Sequence, residues 1–361
     1  MKGSRWMIYG VNGYTGLLAA REAVRRGLRP VVAGRNGDAV RQAGEELGLE
    51  SRVFSLDDGP LLTRSIGDCR LVLHCAGPFS ATSQPMIEAC LAARVHYLDI
   101  TGEISVFENA QRQSEQARRA DIVLLPGVGF DVVPSDCLAA SLVQMLPAAT
   151  ELVLAFEAGG GPSPGTAKTS VEGLGKGGRV RRDGALKAVP LAWKSMQVPF
   201  AHGLRTAITI PWGDVFTAYV STGVGNIEVY MSVPPNTASR LRRWRFLQPV
   251  LATAPVQNFL KRRIGKSVRG PADGRRQRTE SQLWGEVRSA DGRRLSATMT
   301  TPNGYDLTVT AALGIVEHLL KNAVEGGYYT PSLLMGAAYA ASLPGVVVQM
   351  GEVTGLKPAG A

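Results

Sequence analysis

Gly10, Gly13 and Gly16 recur at every third position of Gly10-Val11-Asn12-Gly13-Tyr14-Thr15-Gly16, directly after the β-forming run Trp6-Met7-Ile8-Tyr9. Glycine reaches the positive φ that so tight a turn requires. A backbone without side chains also lets a phosphate approach the amides at a helix start, where the helix dipole favours negative charge. These residue types at this spacing fit capture of a pyrophosphate, with Asn12, Tyr14 and Thr15 lining the same turn. The spacing, GxxGxxG, is one residue longer at the front than the common GxGxxG. Arg35 narrows the ligand. An NAD site usually places Asp or Glu about 20 residues on, at the end of the second strand, to hold the ribose 2′-hydroxyl. Here Gly34-Arg35-Asn36 stands there, and the first acid is Asp38. An arginine fork matches a 2′-phosphate, so NADP(H) is the expected cofactor, held by Arg35 and Asn36 as well as by the glycine turn.

Further polar and glycine-rich loops follow later apolar runs. Ala76-Gly77-Pro78-Phe79 is expected beside the nicotinamide half of the cofactor, with Thr101, Gly102 and Asp131 completing the set. Convergence of such loops is what hydride exchange requires. The proton that accompanies a hydride needs a donor, and Lys168, Tyr97, Tyr219 and His202 are the candidates by residue type. Lys168 follows Gly165-Thr166; a lone histidine such as His202 is more often structural. The four cysteines, Cys69, Cys75, Cys90 and Cys137, form no CxxC pair and no zinc-spaced cluster with histidine. They read as reduced, buried thiols, and no metal is expected.

These residues must be positioned by alternating strands and helices. The apolar runs at 6–9, 31–34, 52–56, 71–76, 96–100 and 122–125 read as strands. Helices are expected between them, with apolar spacing at Leu17, Ala20, Val24 and Leu28 in the first. Others are placed at Pro85–Ala93, Ser105–Arg119 and from Ser135 through Leu138, Leu142 and Leu146. Strands apolar throughout are buried on both faces, which predicts a doubly wound parallel sheet. After residue 150 strand-like runs dominate: 152–156, 206–210, 215–221, 227–233, 283–288 and 294–301. Asp291-Gly292 marks a hairpin between the last two. A helix is expected over 311–324, ended by Gly326-Gly327. A terminal helix is expected within 333–350. The fold class is therefore α/β: a Rossmann-type doubly wound parallel sheet plus a second α+β domain with a mostly antiparallel sheet.

The 361-residue chain carries a net charge of +10. Residues 236–280 hold twelve lysines and arginines against two acids, so this segment accounts for the entire excess. It also carries Trp244, Phe246, Leu247, Phe259 and Leu260. Basic ends around an apolar middle point to an anionic membrane surface or an acidic carrier protein. No nucleic-acid-binding motif accompanies the charge. With the first strand near residue 6, no secretory leader is expected, and a cytoplasmic, peripherally membrane-associated protein is the reading. A homodimer through the second sheet is a further expectation.

Together the glycine turn, AGRN at 33–36, CAGPF at 75–79, HYLDITGE at 96–103 and GVGFDVVPSD at 127–136 resemble the saccharopine dehydrogenase-like NAD(P)-binding oxidoreductases. The subgroup they resemble includes the trans-acting enoyl reductases. The resemblance continues through Gly165-Thr166, IPWGDVFTAY at 210–219, GPADGRR at 270–276 and GGYYTPSLLMG at 326–336. It implies a Rossmann NADP-binding domain over 1–150 and an α+β substrate domain over 151–325 with the basic insertion 236–280. It also implies a C-terminal segment, 326–361, that returns to the first domain. The implied activity is hydride transfer. Two substrate classes stay open. Arg179, Arg181, Arg182 and Arg205 would suit the carboxylates of an amino-acid imine. Trp193, Met196, Val198, Phe200, Trp212, Phe216, Tyr219 and Tyr230 would suit a hydrophobic acyl or enoyl group. A non-catalytic NADP-binding protein is the third reading.

Overall fold

The computed structural model describes residues 4–163, 167, 171, 173, 177–244, 250, 253–267 and 273–355. Lys168, Gly165, Thr166 and part of the basic segment lie outside the described residues. The chain forms two units, residues 1–133 with 305–334 and residues 134–304 with 335–361.

In the first unit the apolar runs become short buried strands, as their composition dictates. The elements are β1 (Trp6–Tyr9), α1 (Tyr14–Arg25), β2 (Val31–Gly34), α2 (Gly37–Leu47), β3 (Ser51–Val53), α3 (Gly59–Ile66) and β4 (Leu71–His74). Next come α4 (Phe79–Ala93), β5 (His96–Asp99), α5 (Ile104–Arg112), α6 (Ser114–Ala120) and β6 (Val123–Leu125); α7 (Val133–Met145) then opens the second unit. The sheet order is β15-β6-β5-β4-β1-β2-β3, parallel throughout. Apart from the edge strand β15, described below, this is the doubly wound order, reversing between β1 and β4. Helix α1 buries Gly16, Ala19, Ala20 and Ala23, rotated from the expected stripe through Leu17 and Val24. Small residues on that face let the helix lie close to β1. Helix α4 begins at Phe79, six residues before Pro85, which is carried inside it.

The second unit is built on β7 (Ala149–Glu157), β8 (Gly178–Arg182), β9 (Ala185–Val189), β10 (Ser195–Phe200), β11 (Gly203–Thr209), α8 (Asp214–Thr222) and β12 (Asn226–Ser232). The basic segment follows as α9 (Pro235–Trp244), α10 (Ala254–Ser267) and α11 (Asp273–Arg276). Then come β13 (Glu280–Ser289) and β14 (Arg294–Pro302). The path β10-β11-β12-β7-β13-β14-β16 is antiparallel except for β12 beside β7. Leu142 and Leu138 of α7 pack on β13, where a Cβ on Gly285 would come within 2.8 Å of Leu142 Cδ1.

The chain then returns as α12 (Gly304–Lys321) and β15 (Gly327–Tyr328) in the first unit, before α13 (Pro331–Met335), α14 (Tyr339–Ser342) and β16 (Val347–Met350). Three expectations are corrected. The run 215–221 is helical, not a strand: Asp214 occupies the first turn and Gly223, at φ +75°, closes the last. Gly326-Gly327 does not end the preceding helix, which stops at Lys321; Gly327 opens an edge strand beside Val123. The expected terminal helix is two short helices and β16, which pairs with β14.

Candidate functional site

The glycine turn sits at the carboxyl end of β1, where the sheet order reverses. Gly10 has φ +91°, and a Cβ there would lie 2.8 Å from the Ala76 amide nitrogen. A Cβ on Gly16 would lie 2.3 Å from the Gly10 carbonyl oxygen, and one on Gly13 3.2 Å from it. Gly10 is therefore required by φ and by backbone contact, and Gly16 by backbone contact, while Gly13 has little room for a side chain. The Gly10 and Val11 amides donate to the Ala33 carbonyl at 2.7 and 3.2 Å, and Gly13 donates to Gly10 at 2.9 Å. Helix α1 starts at Gly13 with no side-chain cap and no acid in its first turn. An uncapped helix start behind a side-chain-free turn is a cradle for a phosphate. The residues fit a dinucleotide pyrophosphate.

At the end of β2, a Cβ on Gly34 would lie 3.1 Å from Asn12 Oδ1, so this loop abuts the glycine turn. Arg35 is exposed and has no hydrogen bond or ion pair among the described residues. Asn36 Oδ1 accepts from the Ala39 amide at 3.2 Å and caps α2. Asp38, the nearest acid, is paired with Arg41 at 2.8 Å on the exposed side of that helix. No carboxylate stands at residues 34–36.

The other side of the rim is built from β4, β5 and β6. Asp99 is fully buried and accepts from Tyr97 Oη at 2.6 Å and from the Thr101 and Gly127 amides at 2.9 Å each. Burial pushes its carboxyl up to about 7 against the pull of those three donors. Thr101 Oγ1 accepts from the Glu103 amide at 3.0 Å. The Glu103 carboxylate takes the Phe79 and Ser80 amides, both at 2.9 Å, and so caps α4. That cap explains why the helix begins before Pro85. From β4, fully buried His74 places Nε2 3.0 Å from Thr82 Oγ1. Thr82 Oγ1 lies 2.7 Å from the Ala76 carbonyl and 3.1 Å from that of Pro78, as their hydrogen-bond donor. Burial drives His74 down to about 3, so it is neutral. The loop Ala76–Phe79 is thus clamped from both ends. Past β6, the Phe130 amide donates to Thr308 Oγ1 of α12 at 2.9 Å. Half-buried Asp131 rests on Gly102, where a Cβ would lie 3.0 Å from Oδ2. Burial and the neighbouring Glu103 push Asp131 up to about 7.

The sequence comparisons agree with this geometry. Residues 6–125 match the family described as saccharopine dehydrogenase NADP binding domain. A saccharopine dehydrogenase-like oxidoreductase of Mus musculus is 25% identical over 214 residues, covering 51% of this chain and 50% of that protein. Over these residues the chain is similar to the saccharopine dehydrogenase-like proteins. A trans-acting enoyl reductase of Mycobacterium bovis is 30% identical over 138 residues, 36% of this chain and 33% of that protein. The chain spans half or less of the length of these curated relatives. Its first unit is a nicotinamide-dinucleotide-binding domain. The fold of saccharopine dehydrogenase (L-Glu forming) from Saccharomyces cerevisiae matches 97% of this chain and 100% of that one, with a TM-score of 0.67 at 10% identity.

Each described candidate proton donor has partners within its own unit. Tyr97 is fully buried, with its hydroxyl given to Asp99; burial and that carboxylate hold the phenol protonated. Tyr219 lies on α8, with the Arg181 guanidinium 4.0 Å from its ring centroid. His202 lies in the β10–β11 turn, 3.4 Å from Glu157 Oε1, and stacks on Phe200. Tyr219 is near the first residues of β7 and His202 near its last, so they flank opposite ends of one strand. The arginines offered for carboxylates are committed elsewhere. Arg181 is buried and donates to the Val215 and Gly184 carbonyls. Arg182 pairs with buried Glu228, Arg205 with Glu157, and Arg179 donates to the Gly178 carbonyl. Of the expected apolar lining, Val198, Phe200, Phe216 and Tyr230 are buried in the core, while Trp193, Met196 and Trp212 are half-buried. The half-buried Cys75 thiol is pushed up to about 12 by burial and by Asp99, which removes it as a nucleophile.

Sequence reasoning missed His74, Thr82, Tyr305 and Thr308 as parts of the rim. Tyr305 packs edge-on against Tyr14 at 4.9 Å, bringing the start of α12 to the glycine turn. Only His74, a polar residue ending an apolar run, carried a readable signal.

Proposed function

We propose that this chain is an NADP-dependent oxidoreductase that passes hydride to a hydrophobic acyl substrate, with an enoyl thioester as the best-fitting class. The observation that carries the reading is the glycine cradle with unpaired Arg35, and no carboxylate, at the end of β2. When bound, NADPH supplies the hydride. Gly10, Gly13 and Gly16 leave room for its pyrophosphate, and Arg35 meets the 2′-phosphate with charge-assisted bonds. Ala76–Phe79, fixed by Thr82 and Glu103, supply a rigid wall on the reacting side. Asp131 holds the proton: its carboxyl keeps one up to about pH 7, because it is partly desolvated beside Glu103.

The substrate class is supported by two facts. The second-unit arginines that an amino-acid dicarboxylate would need are spent on carbonyls and acids of the chain itself. The relative from Mycobacterium bovis is named for enoyl reduction.

The cofactor reading is tested by titrating NADPH and NADH into the wild-type chain and Arg35→Ala. Bonds to a charged group contribute about 1.5–3 kcal/mol, so wild type should prefer NADPH by roughly 10- to 100-fold. Arg35→Ala should erase the preference and leave NADH binding intact. Equal binding of both cofactors by the wild type would overturn the reading.

A further inference from the structure

The twelve cations of residues 236–280 carry the whole net charge of the chain. Helix α10 shows how part of that charge is presented. Its residues Val256, Gln257 and Leu260 are half-buried, and Gln257 Nε2 donates to the Val171 carbonyl at 3.0 Å, so this face is anchored to the second unit. The adjoining, exposed face carries Phe259, Arg262 and Arg263, three and four residues apart and therefore neighbours on the helix surface. Phe259 is 61% exposed, and both arginines are exposed. Val250, just before the helix, is 55% exposed. Arg240, Arg242 and Arg243 of α9 are exposed as well.

We propose that α10 binds an anionic lipid surface through Phe259, Arg262 and Arg263, with the remaining cations of 236–280 adding long-range attraction. An aromatic ring flanked by guanidinium groups on one helical face is the pattern of an interfacial helix, with its ring at headgroup depth and its cations among the phosphates. The cations are spread along the whole sequence of the segment. A fluid anionic surface pairs with cations in any arrangement, whereas a folded acidic protein needs a matched cleft for the ring. No helix among the described residues is long and apolar enough to cross a membrane, so the contact proposed is peripheral.

The test is cosedimentation of the full chain with vesicles of phosphatidylcholine alone and of phosphatidylcholine mixed with phosphatidylglycerol. The chain should favour the mixed vesicles by roughly tenfold or more and release them as salt rises. Arg262→Glu combined with Arg263→Glu should lower that affinity by roughly tenfold or more. Phe259→Ala should weaken it at high salt as well as low. NADPH titration of each variant reports whether the fold is intact, and it keeps this proposal separate from the reductase reading, on which it does not depend. Equal affinity for both vesicles, unchanged binding by the charge-reversed variant, or capture of a soluble acidic protein without any vesicle binding would overturn it.

Discussion

Asp99 and His74 are both fully buried at the carboxyl edge of the first sheet, and burial moves them in opposite directions. Asp99 rises from the ordinary 3.8 to about 7, so the folded chain binds its proton more tightly than the unfolded chain. That contribution to stability is full below about pH 4 and is lost as pH rises through 7. His74 falls from 6.5 to about 3, so its contribution is full above 6.5 and is lost as pH falls toward 3. Asp99→Asn isolates the first effect. The amide oxygen still accepts from the Thr101 and Gly127 amides, and the Tyr97 hydroxyl can turn to accept from the new NH2 group. The expected result is a variant whose advantage over wild type grows by up to about 4 kcal/mol between pH 4 and pH 8. Thermal melts across that range check it; a difference that does not change with pH would contradict it.

Helix α4 shows how one carboxylate serves two elements. Glu103, in the loop after β5, supplies the acceptors that the first turn of α4 lacks. Glu103→Ala should cost about 1–2 kcal/mol and loosen the Ala76–Phe79 wall, weakening NADPH binding. Glu103→Gln keeps one acceptor for the helix but removes the charge that helps hold Asp131 up. Wild-type activity is expected to decline as pH rises through about 7, and that of Glu103→Gln should fall at a lower pH. A pH–rate profile unmoved in Glu103→Gln would remove Asp131 from its role. The inner first-unit strands β1, β2, β4 and β6 were legible because each is almost wholly apolar, a pattern that a sheet covered on both faces explains. The start of α4 was not, because its cap comes from 24 residues further along the chain. The run 215–221 misled because β-branched and aromatic residues favour strands, while its packing and the Gly223 terminator impose a helix. The glycine turn was legible because its backbone geometry is set within one βαβ unit. The donors were not, because Tyr97, Tyr219 and His202 are assigned by tertiary partners that residue type does not reveal.

Over the whole molecule, the work is divided between two units and a basic segment. The first unit binds the nicotinamide dinucleotide, and the second, where Arg181, Arg182 and Arg205 are bonded to groups of the chain itself, is proposed to receive an apolar substrate. The basic segment is proposed to bring the chain to an anionic surface. The central claim is that these parts serve NADPH-driven reduction of a hydrophobic acyl group. The most direct measurement follows NADPH oxidation with 2-enoyl thioesters of increasing chain length, set against imine-forming pairs of a keto acid and an amino acid. The expected result is turnover with the enoyl thioesters that improves with chain length, and none with the amino-acid pairs. Turnover confined to the amino-acid pairs, or tight NADPH binding without oxidation by any acceptor, would contradict it.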